Sequence, residues 1–396
     1  MKSPALPRLS IAAFMLGHLS QGLTFTAFAP ALPQLARDFG GGSQGEFVAQ
    51  MTLMISALGM MLGALASGWI IERLGSGVVL WGALLLYGSL GSGGLFLHDV
   101  TALLLSRFGV GFVCACMVTA CVSLIAAHCE GERRARVLGI SGAMASLISL
   151  VAMLVGGMLA RYGGWRLAFV QYPVFALAGL ALLLAAPRIE SPMEHGDRTP
   201  VGHEFLRRLW PLYAVALVMA GIMFMGSTQF SFMLAQDGVH DPAERSVIMS
   251  TVTLIAVITS LMYGWLQRRL GLLGTLVFGL LSMSLALLVV DLTATAALAA
   301  LAAALMGIFV GITIPFLHHY VTEHAAAPER SRAIGVLNAF NFLGGFLNPL
   351  VFVPLARAWG LRSVFLMAAI VMFAIAAGAF AYLRTAGRAS AAMPAR

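Results

Sequence analysis

The stretch Gly68-Trp69-Ile70-Ile71-Glu72-Arg73-Leu74-Gly75 returns 196 residues later as Gly264-Trp265-Leu266-Gln267-Arg268-Arg269-Leu270-Gly271. The same offset carries Arg136 and Gly139 to Arg332 and Gly335, and His128 to His324. It also carries Leu159, Ala160, Arg161, Gly164, Arg166 and Phe169 to Leu355, Ala356, Arg357, Gly360, Arg362 and Phe365. The matches fall mostly at the ends of apolar stretches, where the chain must turn. Two equivalent halves of this kind are how many secondary transporters are built, with the substrate site between the halves.

Composition points to the same environment. Of 396 residues, 60% are hydrophobic and 10% charged, with a mean hydropathy of +0.92. A soluble domain of this length has too much surface to hide so many apolar side chains. The apolar residues form long runs, each about 20 residues or more and so able to cross a hydrocarbon core as a helix. Six runs cover 10–33, 46–71, 78–97, 100–127, 137–160 and 166–187, and six more cover 210–235, 245–266, 273–291, 295–320, 333–356 and 363–384. The expected fold is an all-α membrane protein of twelve transmembrane helices, in two pseudo-symmetric six-helix halves around a central cavity. The first half is 1–187, the second 210–396, and 188–209 reads as a solvated cytoplasmic linker of mixed charge.

With the N-terminus cytoplasmic, 17 of the 24 basic residues fall on the inner side, among them Arg73, Arg133, Arg134, Arg136, Arg268, Arg269, Arg330 and Arg332. That bias sets both termini inside. It also accounts for the net charge of +8 through anionic lipid headgroups, with no nucleic acid required. Lys2 and Arg8 precede a run that continues without a small-residue cleavage site to Pro30-Ala31-Leu32-Pro33, so the run reads as an uncleaved first span. Cys114, Cys116, Cys121 and Cys129 lack the spacing of a disulfide framework or a metal site and read as small packing residues. No G-x-S-x-G elbow, Walker loop or H-E-x-x-H is present, so neither an enzyme nor a self-contained ATP pump is expected, and no cofactor or metal is implied.

The loop motif resembles that of the major facilitator superfamily: glycine, three variable residues, aspartate, arginine, a variable residue, glycine and two basic residues. Gly68, Arg73 and Gly75 match, Glu72 stands for the aspartate, and Ser76 and Gly77 replace the basic pair. Leu105-Ser106-Arg107-Phe108-Gly109-Val110-Gly111 in span 4, Gly164-Trp165-Arg166-Leu167-Ala168-Phe169 after span 5, and Ala31-Leu32-Pro33 at the end of span 1 are also similar to family sequences, nearest to the twelve-span bacterial drug and metabolite exporters. Two departures stand out. Ala152-Met153 replace the exporters' Gly-Pro ahead of Gly156-Gly157, and spans 1 and 4 lack the carboxylate that many proton-coupled relatives carry. The resemblance implies a monomeric transporter of the bacterial inner membrane, its partners being a small-molecule substrate, protons and membrane lipids. It also implies a conformational lock at Gly68, Glu72, Arg73 and Gly75, echoed by Arg269 and weakened here by the two missing cations.

In this family spans 1, 4, 7 and 10 line the cavity, which selects candidates on those helices. His18, Gln21 and Phe25 share one stripe of span 1. Histidine titrates near neutral pH and suits a proton carrier; the alternative is a neutral ring bonded to a neighbouring helix. Arg107 is the deepest cation, and Glu46 at the outer start of span 2 is the acid within reach. Arg107 reads either as an attractor of anionic substrate or controller of a proton site, or as a helix-linking group. Met225 and Gln229 in span 7, and Thr313 and Phe316 in span 10, complete the substrate candidates, set against plain packing of Met and Phe. Asn338, Asn341 and Asn348, beside Gly344-Gly345, read as a helix-packing stripe. The expected function is alternating-access transport of a small organic molecule, with proton-coupled efflux of drugs or metabolites first. The alternatives are uptake or facilitated diffusion of a polar metabolite or metal-chelating compound, and a non-transporting receptor or scaffold.

Overall fold

The computed structural model describes residues 8–186, 204–291, 295–326 and 329–391, and among these there is no strand. The first half consists of α1 (Arg8–Ala13), α2 (Leu16–Thr26), α3 (Leu32–Asp38), α4 (Gly42–Leu74), α5 (Ser76–Gly91), α6 (Gly93–Phe96), α7 (Val100–His128), α8 (Gly131–Leu167) and α9 (Gln171–Ala185). The second consists of α10 (Glu204–Met223), α11 (Gln229–Gln236), α12 (Pro242–Asp291), α13 (Ala296–His324), α14 (Arg330–Trp359) and α15 (Leu361–Ala391). Most of the segment expected as the linker lies outside the described residues, and α10 begins at Glu204, before the expected 210. Ten helical stretches among the described residues are long and apolar enough to cross a membrane. Two of them, of 55 and 49 residues, are far longer than one crossing needs, and each is interrupted. The first breaks at Gly163 and Gly164 and the second at Gly271.

The internal repeat is visible in the geometry. Gly75 and Gly271 have φ of 81° and 73°, and Gly164 and Gly360 of 73° and 85°. This left-handed backbone strains side-chain-bearing residues, so the repeat keeps glycine at these turns. Asp99 accepts a hydrogen bond from the Ala102 amide to cap α7, and Thr295, at the matching position, accepts from Leu298 to cap α13. Gly111 approaches the Ser56 carbonyl so closely that a Cβ would sit 1.9 Å from it, and Gly307 approaches the Val252 carbonyl at 2.6 Å. Both partners are again offset by 196. In lipid there is no hydrophobic drive between helices, and small residues that let backbones approach supply the packing instead.

Candidate functional site

The contacts that join the halves gather at one end of the bundle, opposite the end where α1 starts and α15 finishes. Arg245, in the first turn of α12, is 1% exposed and donates from Nε to the Pro30 carbonyl at 2.9 Å. The Ser231 hydroxyl approaches the same carbonyl at 3.5 Å. Gln229 Nε2 donates to Gln50 Oε1 at 2.9 Å and to Asn348 Oδ1 at 3.0 Å, while Asn348 Nδ2 donates to the Gly221 carbonyl at 2.7 Å. Thr228 lies against both Gln229 and Asn348. At the rim Arg161 pairs with Asp241 at 3.3 Å. Gly157 brings α8 against the Ser246 side chain and the Pro242 carbonyl, close enough that a Cβ would meet them at 2.4 and 2.6 Å. Beneath this polar layer the rings of Phe25 and Phe224 meet across the halves, with centroids 5.4 Å apart.

The next layer is polar again. His18 and Gln21 lie on the Phe25 stripe, His18 about 10 Å further from the closed end at 1.5 Å per residue. Both are half-buried, and His18 Nδ1 has no hydrogen-bond partner. On α14, Gly345 lies against the Phe224 ring, which fixes the depth of its neighbours. Asn341 and Asn338 are one and two turns below it, about 6 and 10 Å, at the level of Gln21 and His18. Asn341 Oδ1 also lacks a partner, as does the Tyr263 hydroxyl on α12, whereas Asn338 Oδ1 bonds His318 at 3.3 Å. One stripe of imidazole and amide on α2 and one of amides on α14 thus lie at the same depth under an aromatic ceiling, and the unpartnered His18 Nδ1 and Asn341 Oδ1 are both buried. Toward the other end Leu65, Trp69, Ile140, Met144, Leu261 and Met262 are exposed. A Cβ on Gly68, Gly139 or Gly335 would meet nothing within 4 Å.

Arg107 is not in that layer. It is 0% exposed, inside the first half, with its guanidinium over the rings of Tyr172, Phe28 and Phe169 at 4.4, 5.2 and 5.3 Å. Its Nη2 donates to the Tyr172 hydroxyl at 2.7 Å, and Nε and Nη1 have no partner. Tyr172 passes the bond on to the Thr24 carbonyl at 3.3 Å, and Thr24 bonds Tyr87 at 3.0 Å. The sequence-based expectation that Glu46 reaches Arg107 is therefore corrected: α9 brings a tyrosine there, and aromatic faces replace a carboxylate as the cation's neighbours.

The other candidates divide. Gln229, expected on the cavity wall, is spent on the polar layer that joins the halves. Met225, Thr313 and Phe316 are 0%, 1% and 1% exposed; Thr313 bonds the Phe309 carbonyl in its own helix and Phe316 packs on Tyr320. Glu46 is half-buried just past the first turn of α4. In the loop motif, Arg73 stacks on Trp69 at 4.1 Å, and the repeat pairs Arg269 with Trp265 more loosely, at 5.8 Å. Gly156 does the packing its position suggests, lying against the Ala27 carbonyl. Residues missed by sequence reasoning are Gln50, Thr228, Arg245 and the Pro30 carbonyl. Intramembrane Gln50 was a visible signal; a main-chain carbonyl gives none.

Comparison with known proteins agrees with this architecture. The family model of the Major Facilitator Superfamily matches residues 14–241 and 234–394. The chain is 24% identical to the niacin transporter NiaP of Acinetobacter baylyi over 363 residues, 82% of each chain. It is 29% identical over 219 residues to an MFS-type efflux pump of Mycolicibacterium smegmatis, 54% of this chain and 48% of that one. A crystal structure of a peptide transporter in complex with sulfate superposes with a TM-score of 0.78 at 15% identity, covering 96% of this chain and 95% of that one. A family match along nearly the whole chain makes this protein a multi-pass membrane transporter and not an enzyme: it belongs to the Major Facilitator Superfamily.

Proposed function

We propose that the protein is a secondary transporter of a small polar organic molecule in a bacterial inner membrane, working by alternating access. Its twelve spans, counting the 55- and 49-residue stretches as two each, form two rocking halves with both termini cytoplasmic. The conformation described is then shut toward the outside and open toward the cytoplasm. It acts as a monomer, with lipid, substrate and protons as its partners. The observation that carries the polar cargo is the set of half-buried polar side chains His18 and Gln21 in the first half and Asn338 and Asn341 in the second, at one depth below the Phe25–Phe224 contact. The methionine and aromatic side chains suited to lipophilic drugs, Met225, Phe309 and Phe316, are packed away. The relative named as a niacin transporter supports the same reading.

Proton-coupled efflux is the second reading. A histidine in the first turn of α2, inside the first membrane span, and the relative named as an efflux pump favour it. In it His18 carries the proton, with Glu46 as the other titrating group. Flux in proteoliposomes, measured for polar metabolites and lipophilic cations with and without a pH gradient, separates the two. Movement of a polar compound supports the first reading. Gradient-driven movement of lipophilic cations alone replaces it with the second, and no flux of any compound leaves the receptor or scaffold.

A further inference from the structure

In each half a membrane helix breaks just before the closed end. Between α2 and α3 lies the 3-10 turn Ala29–Ala31, and between α10 and α11 the 3-10 turn Phe224–Gly226, within one residue of the repeat offset. The cause in the first half is chemical. Leu32 N–H closes the turn onto the Ala29 carbonyl, and the next donor in that pattern would be the N–H of Pro33. Proline has none, so the Pro30 carbonyl is left without its 3-10 partner. A bare carbonyl at membrane depth is costly unless something donates to it. The donors come from the other half: Arg245 Nε at 2.9 Å and Ser231 Oγ at 3.5 Å.

Arg245 is built to make and release that bond. Its Nη1 is held by carbonyls of its own half, Val239 at 2.9 Å and His240 at 3.2 Å, while Nη2 has no partner. The side chain therefore keeps its place when the halves part, and what it loses is the one charge-assisted bond to Pro30. The repeat supplies a neutral counterpart. Gln50 occupies the position matching Ser246, beside Arg245, and Gln229 the position matching Pro33, and these two amides bond across the halves at 2.9 Å. Each half thus has its broken helix held by the start of a helix from the other: one by a guanidinium on a carbonyl, one by an amide on an amide.

We propose that Arg245 is the positioning residue that latches the closed end through the Pro30 carbonyl, and that Pro33 keeps this carbonyl available. The inference rests on the alternating-access reading. It is tested on the full-length protein in lipid nanodiscs, with spin labels on Gln44→Cys and Glu244→Cys. These are exposed first-turn residues of α4 and α12 on opposite halves, and the four native cysteines are buried. Loss of one charged hydrogen bond in Arg245→Met shifts the ratio of separated to closed populations by about tenfold toward separated. Pro33→Ala, which returns an N–H to the Pro30 carbonyl and leaves Arg245 intact, shifts the ratio the same way. The Gln50→Leu background, lacking the neutral amide pair, enlarges the separated fraction and makes both shifts readable.

An unchanged ratio in both variants overturns the latch. So does a lowered melting temperature with an unchanged ratio, which would mark Arg245 as structural only. If instead the parent protein shows one label distance under every cargo and pH condition, the alternating-access reading itself fails, and the latch with it.

Discussion

Gly157→Ala is the sharpest test of the view that the halves part at the end where Pro242 and Ser246 lie. A methyl group at 157 would sit 2.4 Å from Ser246 Cβ and Oγ and 2.6 Å from the Pro242 carbonyl, where ordinary contact begins near 3.4 Å. The Ser246 hydroxyl can rotate away; the Pro242 carbonyl is backbone and cannot. The α8 and α12 surfaces must therefore separate by about 1 Å, and overpacking of this kind costs about 1–3 kcal/mol. That cost falls on the closed arrangement alone, so the ratio of opened to closed molecules rises about 5- to 150-fold.

The readout is a cysteine at Ser250, one turn along α12 and 8% exposed, challenged with a membrane-impermeant maleimide from the outside. Labelling accelerates in Gly157→Ala. Two neighbouring substitutions serve as controls. Gly156→Ala drives a methyl to 1.8 Å from the Ala27 carbonyl within the same half, so it lowers the melting temperature without biasing the halves. Gly139→Ala meets nothing within 4 Å and changes neither quantity. Labelling of Gly157→Ala at the parental rate, or equal acceleration in Gly139→Ala, would refute the reasoning.

Three further outcomes are expected. Arg107 lies about one interaxial spacing, 8–10 Å, to the side of the polar layer and about 8 Å further along the bundle, at the level of Thr24 and Phe28; at about 12 Å and an effective dielectric of about 20 its charge is worth about 1.4 kcal/mol to a unit anion there. Arg107→Met thus weakens binding of an anionic cargo about tenfold in a calorimetric titration and leaves a neutral analogue unchanged, and equal losses for both would contradict it. His18→Gln flattens the dependence of transport on pH near neutrality; a retained profile, tested beside Glu46→Gln, moves the proton site to Glu46 or removes it. Asn341→Leu, which removes a half-buried amide from the polar layer, weakens cargo binding about fivefold, the worth of one neutral hydrogen bond, and unchanged affinity would place the cargo elsewhere.

The sequence made the architecture legible because turns are local. Gly75, Gly164, Gly271 and Gly360 mark positions where left-handed backbone admits little else, and the repeat doubles each signal. Asn348 was legible too: an amide beside paired glycines reads as packing, and it does bond α10 through the Gly221 carbonyl. The site was harder because it depends on how each helix is rotated. Periodicity gives the stripe His18, Gln21, Phe25, but not that Met225 and Phe316 are fully buried. Arg107 shows the same limit. Its depth could be counted along the chain, yet its partner Tyr172 lies 65 residues away on another helix, and nothing local names it. Gln50 and Gln229, 179 residues apart, are paired only by the assembled fold.

On the alternating-access reading proposed above, glycine placement also explains why the seam between the halves is the surface that yields. Within the first half, Gly59, Gly63 and Gly111 bring α4 and α7 backbones together, with carbonyls 1.9–2.4 Å from where a Cβ would stand. Within the second, Gly307, Gly311 and Gly344 do the same for α12 with α13 and α14 with α10, at 2.4–2.6 Å. Such contacts are backbone on backbone, repeated along each helix pair, and no side-chain rotation relieves them. In lipid, where packing rather than solvent aversion holds helices together, such contacts favour movement of each half as one unit. Across the seam the close approach is Gly157, supported by side-chain bonds at Arg245, Gln229 and Arg161. Side-chain bonds can exchange partners with water or cargo while the helices that carry them keep their shape. Alternating access then asks the fold to break a few polar contacts at one end, and leaves the glycine-packed interiors of both halves intact.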